Sequence, residues 1–173
     1  AILMAHDFVE PTELPDDAYP LVLCTVREVG HYSCRSMTGN CKVLSMLADE
    51  PGYVHINPAD AEARNIRDED LVWVSSRRGK VITRACLDER INKGAVYMTY
   101  QWWIGKCNDL TMHVTDPLSG TPEDKYSACE VHSIDDQVWA ERHMQALYSA
   151  LKDRLAAEAA PQNVAPAAEA SAE

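Results

Sequence analysis

Apolar residues along this chain come in short runs, separated by glycines, prolines and acids, and the runs read as strands more often than helices. "LVLCT" over 21–25, with its β-branched members, is a buried strand. Residues 54–56 form another, after which Asn57 can cap a helix starting at Pro58, where a missing N–H costs nothing; that helix is expected to end near residue 65. Apolar positions over 71–75 and 81–87 flank "SRRGK", whose glycine suits the turn of a hairpin. "GAVYMTYQWW" over 94–103 is a strand that ends in an aromatic cluster, and "YSACEVHSI" resumes strand alternation. The pattern predicts a mainly β domain with helices, built on five or six strands.

The remaining stretches frame that domain. "EPTELPDDAYP" is rich in proline and acid, so residues 1–20 read as an extended lead-in, with 21–134 as the folded domain. Residues 104–125 are polar and turn-rich, and a loop of that length is uncommon unless it carries function. Ser133 and Asp136 make an S-x-x-D capping pattern. Val138, Met144, Leu147, Tyr148, Leu151 and Leu155 follow at helical spacing, predicting an amphipathic helix over 135–156. The Ala/Pro/Glu-rich 157–173 is expected to be disordered.

Composition narrows the function classes. The chain has 173 residues, 46% of them hydrophobic and 25% charged, which suits one globular domain with a real core. Its net charge of -11 argues against nucleic acid or an anionic membrane as a diffuse partner. An anionic ligand held at one place is still compatible, because screening acts over about 8 Å. "AILMAHDF" lacks the features of a signal peptide, and no apolar stretch approaches the roughly 18 residues of a membrane span. A cytoplasmic protein is expected, with no direct membrane insertion. The start at Ala1, in mid-pattern, suggests a fragment of a longer protein. The six cysteines contain no C-x-x-C pair and are expected to be reduced and mostly packed.

Catalytic patterns are missing. There is no G-x-S-x-G and no G-x-G-x-x-G, and the basic hairpin tip lacks the helix that follows a P-loop, so it reads as solvated. His31, Cys34 and Cys41 have the side chains of metal ligands but no common metal spacing. What remains is a set of donors: Thr25, Arg27, His31, Tyr32, Ser33, Arg35 and Ser36 just past the first strand, with Asn108, Thr111 and Lys125 in the later loop. Such a set fits a ligand with phosphate and carbonyl acceptors, each charge-assisted bond adding about 1.5 to 3 kcal/mol. A solvated turn is the other reading that composition allows.

"ELPDDAYPLVLCTVREVGHYSCRSMTGN", "INPADAEARNIRDEDLVWVSSRRGKV", "GAVYMTYQWW" and "NDLTMHVTDPLSGTPEDKYSACEV", in that order, cover roughly residues 10–135. Together they resemble the C-terminal domain of molybdopterin-dependent oxidoreductases, and most of all that of formate dehydrogenase catalytic (alpha) subunits of the formate hydrogenlyase type. The resemblance implies a double-psi β-barrel over bis(molybdopterin guanine dinucleotide), whose molybdenum or tungsten exchanges two electrons between formate and carbon dioxide. Matched by position, the cofactor-binding residues are Thr25, Arg27, Glu28, His31, Tyr32, Ser33, Tyr100, Asn108 and Lys125. Glu28, acceptor-only when ionised, would meet N–H groups of the guanine or pterin. Where the family usually has Tyr or Phe before the lysine, this chain has Asp124, which puts that contact in doubt.

In the family the metal ligand, the active-site His and Arg and the iron-sulfur cysteines lie in upstream domains. No catalytic or metal-ligating residue is therefore assigned here, and the isolated chain is expected to be inactive. The implied partners are those upstream domains and electron-transfer iron-sulfur or hydrogenase subunits. The same domain of a nitrate or polysulfide reductase, or a stand-alone double-psi barrel used as a binding module, are the alternatives.

Overall fold

The computed structural model describes residues 5, 7–48 and 50–159. Six strands run in the chain, β1 (Leu21–Val26), β2 (Tyr53–Ile56), β3 (Leu71–Ser76), β4 (Gly79–Leu87), β5 (Ala95–Thr99) and β6 (Ser127–Ser133). They close into a barrel in the order β1-β5-β2-β4-β3-β6, the double-psi β-barrel that the resemblance implies. β1 with β5 and β2 with β4 pair in parallel, and the other neighbours are antiparallel. Strand alternation makes closure worthwhile. β1 buries every second residue, Leu21, Leu23 and Thr25. Val54, Ile56, Val72, Val74, Val96, Met98, Cys129 and Val131 from the other strands meet Leu21 and Leu23 in one core.

The helices are short or peripheral. α1 (Lys42–Leu47) and a preceding single turn at Thr38–Asn40 form between β1 and β2, where the sequence pattern predicts no helix. α2 (Pro58–Glu62) starts where its sequence predicts, with Asn57 Oδ1 accepting from the Ala59 amide at 2.9 Å, but ends at Glu62, short of the expected residue 65. The chain then turns at Asn65, whose φ of 55° lies in the left-handed region that asparagine tolerates.

Several boundaries differ from the sequence reading, each for a physical reason. β5 ends at Thr99 rather than at residue 103, because Gln101 and Trp102 leave the sheet to bond elsewhere. The β3–β4 turn is centred on Arg77 and Arg78, with Gly79 already paired to Ser76. Its tip is not simply solvated. Both Glu13 carboxylate oxygens accept from Arg78, at 2.7 and 2.8 Å, and Arg77 pairs with Glu13 and Asp16, which ties the lead-in to the barrel.

α3 (Gln137–Ala159) starts two residues later than expected and runs three residues past 156. Asp136 caps it, accepting from the Trp139 amide at 2.8 Å, while Ser133 belongs to β6. Ala140 and Met144 are its buried contacts, packed with Leu71, Ile82 and Ile104 and supported by Tyr148 and Leu151. Val138 falls off that stripe and is 63% exposed. The tail beyond residue 159 and most of the first six residues lie outside the described residues.

A candidate anion-binding rim at the β1–β5 end

Parallel pairing of β1 and β5 sets Val26 beside Thr99, so the residues that follow both strands emerge together at one end of the barrel. There the Tyr100 amide donates to the Val26 carbonyl at 3.2 Å, and Arg27 Nε donates to the Tyr100 hydroxyl at 2.8 Å. β6 runs antiparallel on the other side of β1, with Leu23 beside Ser127, which brings the preceding Lys125 back to the same rim. Lys125 Nζ donates to Thr25 Oγ1 at 3.0 Å, and the threonine hydroxyl donates to the Asp124 carbonyl at 2.9 Å. The ammonium also sits 5.1 Å from the centre of the Tyr100 ring, and the Arg27 guanidinium 6.0 Å from that of Tyr32.

Two cations and three hydroxyls from distant parts of the chain thus share one rim. Arg27 makes its one side-chain hydrogen bond through Nε, leaving the terminal amino groups without a protein acceptor among the described residues. Chemically the rim offers donors suited to an anion, and neighbouring rings and hydroxyls already orient them. Beneath it, burial pushes the Cys107 thiol up to about 12, only partly offset by Lys125.

The remaining residues singled out from sequence divide between surface and interior. Tyr32 is exposed and Ser33 is held at φ 46° within a tight bend. Glu28 is fixed through its backbone, its amide donating to Gln101 Oε1. His31 is buried: its Nε2 donates to the Ala48 carbonyl at 2.9 Å and its Nδ1 meets Thr38 Oγ1 at 3.0 Å, so both ring nitrogens are spent within the chain. The same contacts remove His31 from the metal-ligand pattern with Cys34 and Cys41. Asn108 is exposed in a single helical turn at Cys107–Asp109, and its side chain makes no hydrogen bond to a rim residue among the described residues. Asp124 enters through its carbonyl, a contact for which its side chain is irrelevant.

Sequence reasoning missed a layer behind the rim. Gln101 is 3% exposed. Its Oε1 accepts from the Glu28 amide, and its Nε2 donates to the Glu28 and His31 carbonyls at 3.3 and 3.2 Å. Glu50 accepts from Arg35 and, at 2.9 Å each, from the Trp103 and Ile104 amides. Burial pushes the Glu50 carboxyl up, opposed by those two amides and by Arg35. The only local signal was the place of Gln101 directly after Tyr100.

Comparison with known proteins bears on this geometry. The family model described as "Molydopterin dinucleotide binding domain" matches residues 21–128. Formate dehydrogenase H of Escherichia coli is 58% identical over 149 residues, which is 86% of this chain and 21% of that protein. The F420-dependent formate dehydrogenase subunit alpha of Methanocaldococcus jannaschii is 39% identical over 128 residues, 74% of this chain and 19% of the relative. The chain therefore spans about a fifth of the length of these relatives. Among solved structures, acetylene hydratase from Pelobacter acetylenicus shares the fold at a TM-score of 0.56 and 16% identity, over 67% of this chain and 18% of that one. The chain belongs to the molydopterin dinucleotide binding domain family.

Proposed function

We propose that this domain holds bis(molybdopterin guanine dinucleotide) as the C-terminal part of a formate dehydrogenase catalytic subunit in the cytoplasm. The observation that carries the reading is the rim, where Lys125 on Thr25 and Arg27 on Tyr100 present fixed positive charge in a chain whose net charge is -11. Such a pair suits the pyrophosphate of a dinucleotide, which needs donors from more than one direction. Thr25, Arg27, Tyr32, Ser33 and Lys125 would meet phosphate and pterin oxygens. Tyr100 would orient Arg27, and Asn108 and Glu28 would offer acceptors to pterin or guanine N–H groups. His31 serves this site from behind, as a positioning residue.

Held by these residues, the cofactor would supply the two-electron chemistry of formate oxidation through its molybdenum or tungsten. The chain's own residues contribute binding, orientation and exclusion of water from one side. The metal ligand, an iron-sulfur cluster and the acid–base groups belong in this reading to upstream domains of the same subunit, and the electrons pass to iron-sulfur or hydrogenase subunits.

Arg27→Ala and Lys125→Ala in the full-length protein test the assignment. Each removes a charge-assisted contact of about 1.5 to 3 kcal/mol, so cofactor affinity should fall roughly 10- to 100-fold. The readout is metal and guanine nucleotide retained per protein after desalting. Unchanged retention in both variants sinks the reading.

A further inference from the structure

The rim is carried on segments that have already left the sheet. After β1 the chain makes an excursion from residue 27 to residue 52 before β2 begins, and among the described residues of that excursion none belongs to a strand ladder. After β5, residues 100–104 likewise run outside the barrel. What fixes one segment to the other is a buried polar layer. The Arg35 guanidinium carbon lies over the Trp102 ring, 4.4 Å from its centre, and Arg35 donates through Nε to the Gln101 carbonyl at 2.9 Å. Its Nη2 bonds Glu50, and the same carboxylate holds the Trp103 and Ile104 amides. The Arg35 and Glu50 side chains are 9% and 2% exposed. Gln101 spends both ends of its amide on the backbone of Glu28 and His31, the residues next to Arg27 and Tyr32.

We propose that Arg35, Glu50 and Gln101 are positioning residues for the rim, a latch that locks the 27–52 excursion onto the β5 exit so that Arg27 and Tyr100 face each other before any ligand arrives. The inference rests on the reading of the rim as a cofactor site, and adds a device to it. Three physical points support the latch. A buried ion pair is a weak source of net stability compared with apolar packing, and in some proteins such groups fix one geometry instead. Arg35 holds a φ of 63° and Ser33 one of 46°, backbone states that persist only where the surroundings impose them. Finally, the Arg35–Glu50 pair braces the excursion internally, while the remaining latch bonds join it to residues 101–104, and none of them belongs to the barrel ladder.

The test uses the full-length protein and hydrogen exchange resolved by segment. In Gln101→Ala and Glu50→Gln, amides of residues 28–47 should exchange at least tenfold faster, while the strands β1 to β6 stay within about twofold of the parent. Arg35→Lys keeps the charge but loses the guanidinium over the Trp102 ring and the Nε bond, so it should behave like the other two and give no rescue. Cofactor retention should fall in Gln101→Ala, and that fall should largely vanish when Arg27 is already alanine, because the latch acts through Arg27. Exchange that is unchanged over 28–47, or that rises equally throughout the barrel, overturns the latch, and so does full rescue by Arg35→Lys. If Arg27→Ala and Lys125→Ala both leave retention intact while exchange over 28–47 still rises in the latch variants, the cofactor assignment fails and the mechanical latch stands.

Discussion

At the scale of single residues, Gly52 shows how much the latch depends on close approach. A Cβ built there would lie 1.8 Å from Trp102 Cδ1 and 2.6 Å from Thr99 Oγ1. Trp102 sits in that gap with its indole N–H donating to Thr99 Oγ1 at 2.6 Å and its ring edge-on to His31 at 5.7 Å. Gly52→Ala should therefore displace the indole and destabilise the protein by roughly 2–4 kcal/mol, read as a lower urea midpoint with altered tryptophan emission. An unchanged midpoint would mean that the backbone yields cheaply there. The donors of the rim were legible in the sequence because Thr25, Arg27 and Lys125 are polar residues at the edges of apolar runs. Gln101 and Glu50 were not, since their partners lie 70 or so and 15 to 54 positions away and no local spacing encodes them.

At the scale of elements, the β3–β4 hairpin and the lead-in act as one strap. Arg78 also donates to the Leu110 carbonyl at 2.9 Å, and Glu13 accepts from the Ala128 amide at 2.7 Å, so a single ion pair links lead-in, hairpin, loop and β6. The hydrogen bond from Arg78, with the Ala128 amide and Arg77, lowers the Glu13 carboxyl to about 2 from its ordinary 4.5, against the upward pull of burial. A carboxyl held down in the folded state contributes its stability in full above about pH 4.5 and loses it as pH falls towards 2. Urea midpoints taken between those two values should thus decline more steeply in the parent than in Glu13→Gln. Equal slopes would show that the strap carries no pH dependence. The strands and α2 were readable from alternation and from the Asn57–Pro58 cap, both local devices. The start of α3 was misread because two candidate caps lie three residues apart and Ser133 is drawn into β6 by its pairing with Val72.

At the scale of the whole molecule, barrel closure sorts the cysteines. Cys107 and Cys129 are buried, with the Cys107 thiol raised to about 12 and that of Cys129 raised by burial too. Cys34 and Cys41 are exposed, and hydrogen bonds from Ser36 pull the Cys34 thiol down. Alkylation followed by mass spectrometry should label Cys34 and Cys41 from the native state, Cys34 faster, while Cys107 and Cys129 react only at the rate of global opening. Early labelling of Cys129 would contradict a closed barrel. Strand count was legible from periodicity, whereas closure and strand order were not, because β1 pairs with β5 and β6 through hydrogen bonds that no local pattern specifies. The sequence resemblance supplied that topology in place of periodicity.

The contact between Lys125 and Thr25 joins residues 100 positions apart. A chain leaving the ribosome exposes Thr25 and Arg27 long before Lys125 exists, and the β1–β5 pair that presents them cannot form until residue 99 is out. Contacts of such long reach form late, after the entropy of closing the intervening loop has been met. The rim is therefore completed in a fixed order: an unfinished polypeptide carries half of it, and the other half waits for the segment that leads into β6.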